Sequence, residues 1–233
     1  MKEQVLEHLN KVGICVLEDY YNEAFCNQAI QDIEDAIKTY PDKIQSEAKE
    51  GTSGDSRVFK MENKFDTAKR FASEETFLEI GSAYFGSPII SHFVLGGKVQ
   101  FNPDVVTNSG GGWHRDNRMK QIKTIVYLTD VNEKSGGFMF LPSSNLYDLT
   151  TRDGSGKVTR YSDETVEEFC NQNNFEPFHV TGKKGTVIFV DTSYIHRGAN
   201  IQEGERYTYT NYYFENNPNR ISLSEQKWGK YYI

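Results

Sequence analysis

Apolar residues recur at helical spacing between Asn22 and Tyr40, at Phe25, Ala29, Ile30, Ile33, Ala36 and Ile37, with polar residues between them. The stripe predicts an amphipathic helix that stops at Pro41, since the residue before a proline is pushed out of helical geometry. Ahead of it, Ile14-Cys15-Val16-Leu17 after Gly13 reads as a short strand. Gln45 to Arg57 is polar and Gly/Ser-rich, the composition of a mobile loop. A second helix is expected from about Ser73 to Phe85, with Gly86 just past its end. Beyond Pro88 the pattern changes to strands. Ile89–Phe101, Lys123–Leu128, Gly137–Leu141, Gly185–Val190 and Arg206–Phe214 are short, β-branched or aromatic, and bounded by Gly, Asn, Asp or Pro. An insertion separates two of them between Ser143 and Phe175, with a short helix expected to start near Ser162 or Asp163. Helices gathered N-terminally and strands thereafter predict a mainly β fold, an antiparallel sandwich or jelly roll with helical support.

Composition narrows the function classes. The 233 residues are 37% hydrophobic and 13% aromatic, which suits one sizeable core. One domain is therefore expected over residues 1–233, with helical support to about 88 and the β core over about 89–215. A net charge of −7 without any Lys/Arg run argues against a nucleic-acid partner. No apolar run approaches the ~18 residues of a membrane span, and Met1-Lys2-Glu3-Gln4 lacks a signal peptide's apolar stretch. A cytoplasmic protein is expected. Cys15, Cys26 and Cys170 form no CxxC pair and read as buried free thiols.

The candidate chemistry lies in Trp113-His114-Arg115-Asp116. In a strand or strand end, residues two apart point to one side, so His114 and Asp116 can grip a metal from adjacent corners. A third ligand from a neighbouring strand would complete the two-histidine, one-carboxylate facial triad of non-haem iron oxygenases. The pair alone is weak, because five histidines give about 0.3 such pairs by chance. Context strengthens it. Gly110-Gly111-Gly112 precedes it as a loop, and His196 follows the apolar strand Thr186–Val190 and Asp191. Arg206, ten residues beyond His196, is placed to make a bidentate pair with a distal carboxylate.

This order of residues resembles the Fe(II)/2-oxoglutarate dioxygenase superfamily, and within it the phytanoyl-CoA dioxygenase-like family. Val12–Leu17 with the Phe25–Ile37 helix is similar to that family's opening strand and helix. Thr124–Val131, Ser135-Gly136-Gly137 and Leu141-Pro142-Ser143-Ser144-Asn145 are similar to its middle segment, although Ser143-Ser144-Asn145 stands where relatives often have Gly-Ser-His. Gly185–Phe189, His196, Gly198, Asn200 and Arg206 match its C-terminal half, with Gly198 where relatives often have Ser. The likeness spans roughly residues 10–215.

The resemblance implies a double-stranded β-helix (jelly roll, cupin-like) core with Fe(II) held by His114, Asp116 and His196. It further implies 2-oxoglutarate chelating the iron and meeting Arg206 with its far carboxylate, O₂ as the second cosubstrate, and succinate and CO₂ as products. The presence of Asp116 favours hydroxylation over halogenation. Gln100, Thr124 and Tyr127 are further candidates for contact with the cosubstrate, and Asn102, Trp113, Arg115 and Arg118 for contact with the substrate. His8, His92 and His179 read as core or surface histidines. The expected activity is hydroxylation of a small polar metabolite, with the Gln45–Arg57 loop and the Ser144–Phe175 insertion as lids. The alternatives are a non-catalytic metal-binding jelly roll and an oxygenase acting on a protein side chain. Oligomeric state stays open.

Overall fold

A computed structural model describes residues 1–46, 54–104, 112–146, 160–216 and 218–233. Helix α1 (Lys2–Val12) buries Val5 and Leu9 and ends at Gly13, whose φ of 84° is left-handed. Only glycine fits there. A Cβ at Gly13 would lie 2.5 Å from the Tyr194 ring, besides the backbone cost. Strand β1 (Ile14–Leu17) follows, then α2 (Glu23–Thr39), started by the Asn22 side chain, which accepts from Phe25 N–H at 3.0 Å. Next come β2 (Asp55–Phe59), α3 (Asp66–Ala72) and α4 (Glu75–Phe85), which ends at left-handed Gly86. The strand-rich part holds β3 (Ile89–Gln100), β4 (Trp113–His114), β5 (Ile122–Tyr127), β6 (Phe138–Phe140) and β7 (Arg160–Tyr161). After α5 (Asp163–Asn173) it continues with β8 (Phe178–Val180), β9 (Val187–Asp191), β10 (His196–Gly198) and β11 (Glu205–Glu215), and α6 (Pro218–Trp228) closes the chain. None of these helices is long and apolar enough to cross a membrane.

The strands form two antiparallel sheets, in the orders β1-β9-β5-β11-β3-β2 and β7-β4-β10-β6-β8. This is the jelly-roll arrangement the sequence predicts. The larger sheet carries the helices on its outer face, where Tyr207, Tyr209 and Tyr213 of β11 join Ile33, Phe71 and Phe77 in the main core. Ile125, Tyr127, Phe138, Phe140 and Ile188 form a second core between the sheets. The Tyr127 hydroxyl ties the sheets together, donating to the Val180 carbonyl and accepting from Phe138 N–H, both at 2.9 Å. Tyr127→Phe would leave that buried amide and carbonyl unpaired. An expected loss of about 2–3 kcal/mol would appear as a lower urea midpoint at unchanged slope.

Four features differ from the sequence expectations. The N-terminal 88 residues supply strands as well as helices, because β1 and β2 belong to the larger sheet. Strand β2 begins inside the stretch read as a mobile loop; its first residues there, Asp55, Ser56 and Arg57, are polar, and Asp55 and Arg57 line the space between the sheets. The rest of that expectation, residues 47–53, lies outside the described residues. The helix expected from Ser73 begins at Glu75, and α3 precedes it. Helix α6 was not foreseen at all. It is held by tertiary contacts, with Trp228 against Phe59 and Phe93 at ring separations of 6.2 and 5.6 Å.

His92 also anchors α6. It falls where the pairing of β3 with β11 skips a residue, and its buried Nε2 meets Ser224 Oγ at 2.8 Å. Burial pushes its imidazole down to about 4. The unfolded chain, with an ordinary histidine, takes up that proton first, so stability is full above about pH 6.5 and falls as pH drops towards 4. Acidification from pH 7 to 5 should cost on the order of 2 kcal/mol through this group. His92→Gln should flatten that part of a stability-versus-pH curve relative to the parent.

Candidate metal centre

His114 and His196 are cross-strand neighbours, since β4 and β10 pair at these two residues. Their ring centres lie 4.4 Å apart. His114 Nδ1 meets the Gly112 carbonyl and His196 Nδ1 the Tyr194 carbonyl, both at 2.9 Å. A carbonyl only accepts, so each Nδ1 carries the proton and each Nε2 keeps a free lone pair. Burial is the main force lowering both imidazoles, His196 to about 3, so both are neutral at pH 7. The Gly13–Tyr194 contact thus reaches the site: the packed Tyr194 supplies the carbonyl that orients His196.

Asp116 completes the group. Its backbone N–H is held by the Thr192 carbonyl at 3.0 Å, and its carboxylate lies 3.8 Å from His114 Nε2 and 3.6 Å from His196 Nε2. The three ligand atoms all fall within 4.8 Å of one another. Two neutral imidazoles and a carboxylate on one side of a cavity suit a first-row divalent cation with open positions.

Lys123, which sequence reasoning named only as the start of a strand, stands beside them. Its Nζ is 2.5 Å from Asp116 Oδ2 and 4.0 Å from the centre of the Tyr212 ring, and its side chain is 7% exposed. Burial works to raise the Asp116 carboxyl, but the Lys123 ammonium, together with the His196 and His114 side chains, holds the group well below the usual carboxylate range. The clue was present: Lys123 shares the inward parity of Ile125 and Tyr127. An unexplained cation on an otherwise apolar inward face is a pointer to charge in the cavity.

The cavity between the sheets has a volume of about 670 Å³ and holds the triad, Lys123 and Arg206. Arg206 is buried, with its Nε lacking any hydrogen-bond partner among the described residues. Burial is the main influence on it and disfavours its charge, with the Tyr127 and Asp55 side chains acting the other way. A buried guanidinium N–H without a partner is costly unless something arrives to accept from it.

The remaining candidates divide. Tyr127 lines the cavity, but its proton is committed to Val180. Thr124 does not reach the cavity. It is one residue out of phase with Lys123 and Ile125, and it contacts Tyr213 OH at 2.9 Å on the helix-bearing face. Gln100 fails for the same reason: Leu95, Gly97 and Val99 of β3 face the cavity, while Gln100 is exposed on the other side. Asn102 accepts from Asp104 N–H at 3.0 Å in an exposed turn. Trp113 points away from the metal ligands into the cluster of Leu141, Tyr161, Val166 and Phe169, with the Arg197 guanidinium 4.5 Å from its ring. Arg197 also pairs with Asp163 at 2.6 Å, tying β10 to α5. Arg115 lines the cavity but is buried, donating to the Ser144 carbonyl. Arg118 is exposed and does not line it. Tyr212 also faces the cavity. Both expected lids contribute to the wall, through Gln45, Asp55 and Arg57 of the first and Arg160 of the second, although residues 147–159 lie outside the described residues.

Residues 9–206 match the profile described as phytanoyl-CoA dioxygenase (PhyH). The chain belongs to that family. No curated protein matches it in sequence. Among solved structures, it is similar to the α-ketoglutarate-dependent epimerase SnoN of nogalamycin biosynthesis, at TM-score 0.73 and 14% identity over 92% of this chain and 83% of that one. It is also similar to EctD from S. alaskensis, at TM-score 0.69 and 18% identity over 91% and 76% of the two chains. HygX from Streptomyces hygroscopicus, solved with nickel, 2-oxoglutarate and hygromycin B, aligns at TM-score 0.61 and 13% identity over 93% and 88%. These likenesses establish the fold that this PhyH member shares with them.

Proposed function

We propose that the protein is an Fe(II)- and 2-oxoglutarate-dependent oxygenase that hydroxylates a C–H bond of a small polar metabolite in the cytoplasm, with residues 1–233 acting as one domain. The observation that carries this reading is the pairing of a cluster of three possible ligands with a buried guanidinium whose Nε has no hydrogen-bond partner among the described residues, both in one cavity. A plain metal binder has no use for the second. The donor set fits the metal: His114 and His196 offer Nε2 lone pairs, and Asp116 offers a carboxylate. Arg206 offers N–H donors to the far carboxylate of a dicarboxylic cosubstrate.

Iron and 2-oxoglutarate bound there supply the oxidising chemistry, with O₂ consumed and succinate and CO₂ released. The chain's part is to bind and orient. The Gly112 and Tyr194 carbonyls keep both imidazoles in the ligating tautomer. Lys123 keeps Asp116 ionised and steers its carboxylate. Tyr127 and Phe138 line the same cavity as Arg206. The likeness to an epimerase and to SnoK, a carbocyclase, supports a second outcome on the same machinery, in which the substrate is inverted or cyclised instead of hydroxylated.

The test is anaerobic addition of Fe(II) and then 2-oxoglutarate to metal-free protein. A visible metal-to-ligand charge-transfer band is expected. Iron uptake without the band would favour the non-catalytic metal binder, and no uptake would overturn the ligand assignment of His114, Asp116 and His196.

A further inference from the structure

A divalent cation at His114, Asp116 and His196 would have a fixed positive charge for a neighbour. Strands β5 and β11 pair Lys123 with Tyr212. The Tyr212 ring, stacked on Phe93 at 4.3 Å, lies 4.0 Å from the Lys123 ammonium. The same ammonium meets Asp116 Oδ2 at 2.5 Å. A carboxylate and an aromatic face both favour the charged form of lysine. The side chain is 7% exposed, so solvent screens it little. Its field also reaches the other two ligands. Burial is the largest influence disfavouring charge on the His114 and His196 imidazoles, and the Lys123 ammonium acts in the same direction on both.

A site made only to hold a cation gains nothing from this arrangement, because like charges repel strongly where screening is weak. Two neutral imidazoles and one carboxylate would leave a bound divalent cation at plus one; the ammonium raises the sum to plus two. An anion that chelates the metal therefore meets twice the charge it would meet without Lys123, and its attraction grows accordingly.

We infer that Lys123, acting through Asp116, ties metal retention to the cosubstrate: it loosens the bare cation and strengthens the hold on the anion that chelates it. This rests on the oxygenase reading and adds the regulation of its site. The coupling is reciprocal, so an anion that binds the loaded centre better because of Lys123 also keeps the metal in place.

The experiment uses the full chain with Ni(II), a redox-inert stand-in for iron, and oxalate. Oxalate is a dianion that chelates metals as the keto-acid end of 2-oxoglutarate does, and it has no far carboxylate for Arg206. Calorimetry measures Ni(II) binding to metal-free protein and then oxalate binding to the loaded protein. Lys123→Gln removes the charge and keeps an N–H donor for Asp116, Lys123→Met removes both, and Lys123→Arg keeps the charge. In the Gln and Met variants, Ni(II) should bind about tenfold tighter and oxalate about tenfold weaker. Lys123→Arg should stay within about threefold of the parent on both measures. Movement of the two affinities in opposite directions is the signature, since loss of a merely structural lysine would weaken both. Ni(II) binding that is unchanged or weaker in the uncharged variants, or oxalate binding that is unchanged or tighter, would overturn the inference. Loss of the circular dichroism of the folded state in both uncharged variants would also overturn it, by assigning Lys123 to the fold. If the parent takes up 2-oxoglutarate and the variants show no such shifts, only this inference falls. If the nickel-loaded parent takes up oxalate but no 2-oxoglutarate, the oxygenase reading falls, and the oxalate result still decides the role of Lys123.

Discussion

Asp116→Ala is expected to abolish 2-oxoglutarate turnover and, separately, to destabilise the metal-free protein. The first effect follows from removing one of three ligands. The second follows from Lys123, whose side chain is 7% exposed and whose ammonium would lose the carboxylate 2.5 Å away. Breaking a fully buried pair from one side costs about 3–5 kcal/mol. Asp116 keeps 22% of its side-chain exposure, so about 2–3 kcal/mol is expected here after solvent screening. Replacing the lysine as well, in Asp116→Ala/Lys123→Met, should return most of that stability without returning any turnover, because an apolar chain of similar length can still pack on Tyr212. Urea unfolding in the presence of a chelator reads the stability, and succinate release reads the activity. A double variant as unstable as the single one would show that the ion pair is not the cause. The sign of the pH effect agrees: a carboxyl held below its ordinary value contributes stability above about pH 4 and loses it as pH falls further.

Arg206→Met is expected to move affinity and stability in opposite directions. The guanidinium is buried at 6% exposure with an unpartnered Nε, so folding pays for its desolvation without full return. Methionine removes that cost, and the thermal midpoint should hold or rise, by about 1 kcal/mol in stability. The same change deletes the donors proposed for the far carboxylate of 2-oxoglutarate. A charged hydrogen-bonded pair is worth about 1.5–3 kcal/mol, so the dissociation constant should rise roughly ten- to a hundredfold. Calorimetry on nickel-loaded protein measures it. Unchanged affinity would mean that another residue anchors the cosubstrate, and a large loss of stability would mean that Arg206 serves the fold.

Local pattern and long-range placement divide the molecule between them. The helices α2 and α4, the strands β1, β3, β5, β9 and β11, and the spacing of His114, Asp116, His196 and Arg206 were all legible in the chain. Helical stripes, strand composition and i, i+2 geometry are properties of near neighbours, so a sequence carries them directly. Strand β5 marks where this stops. All six of its residues are buried, because helices cover one face and the second sheet covers the other. Its sequence therefore shows no polar side, and although Lys123 shares the parity of Ile125 and Tyr127, nothing local says which of the two faces meets the cavity and which the helices. The same ambiguity misplaced Gln100 on β3.

By itself, then, the chain showed its family, several of its longer helices and strands, and the spacing of His114, Asp116, His196 and Arg206. Only the tertiary structure decided what surrounds them. Lys123 meets Asp116, Arg206 Nε meets no hydrogen-bond partner among the described residues, and Arg57, Arg160 and Lys227 converge on one cavity from β2, β7 and α6, far apart in sequence. Charges brought together by folding act through distance in space, and distance in space between remote segments is set by packing rather than by any local pattern.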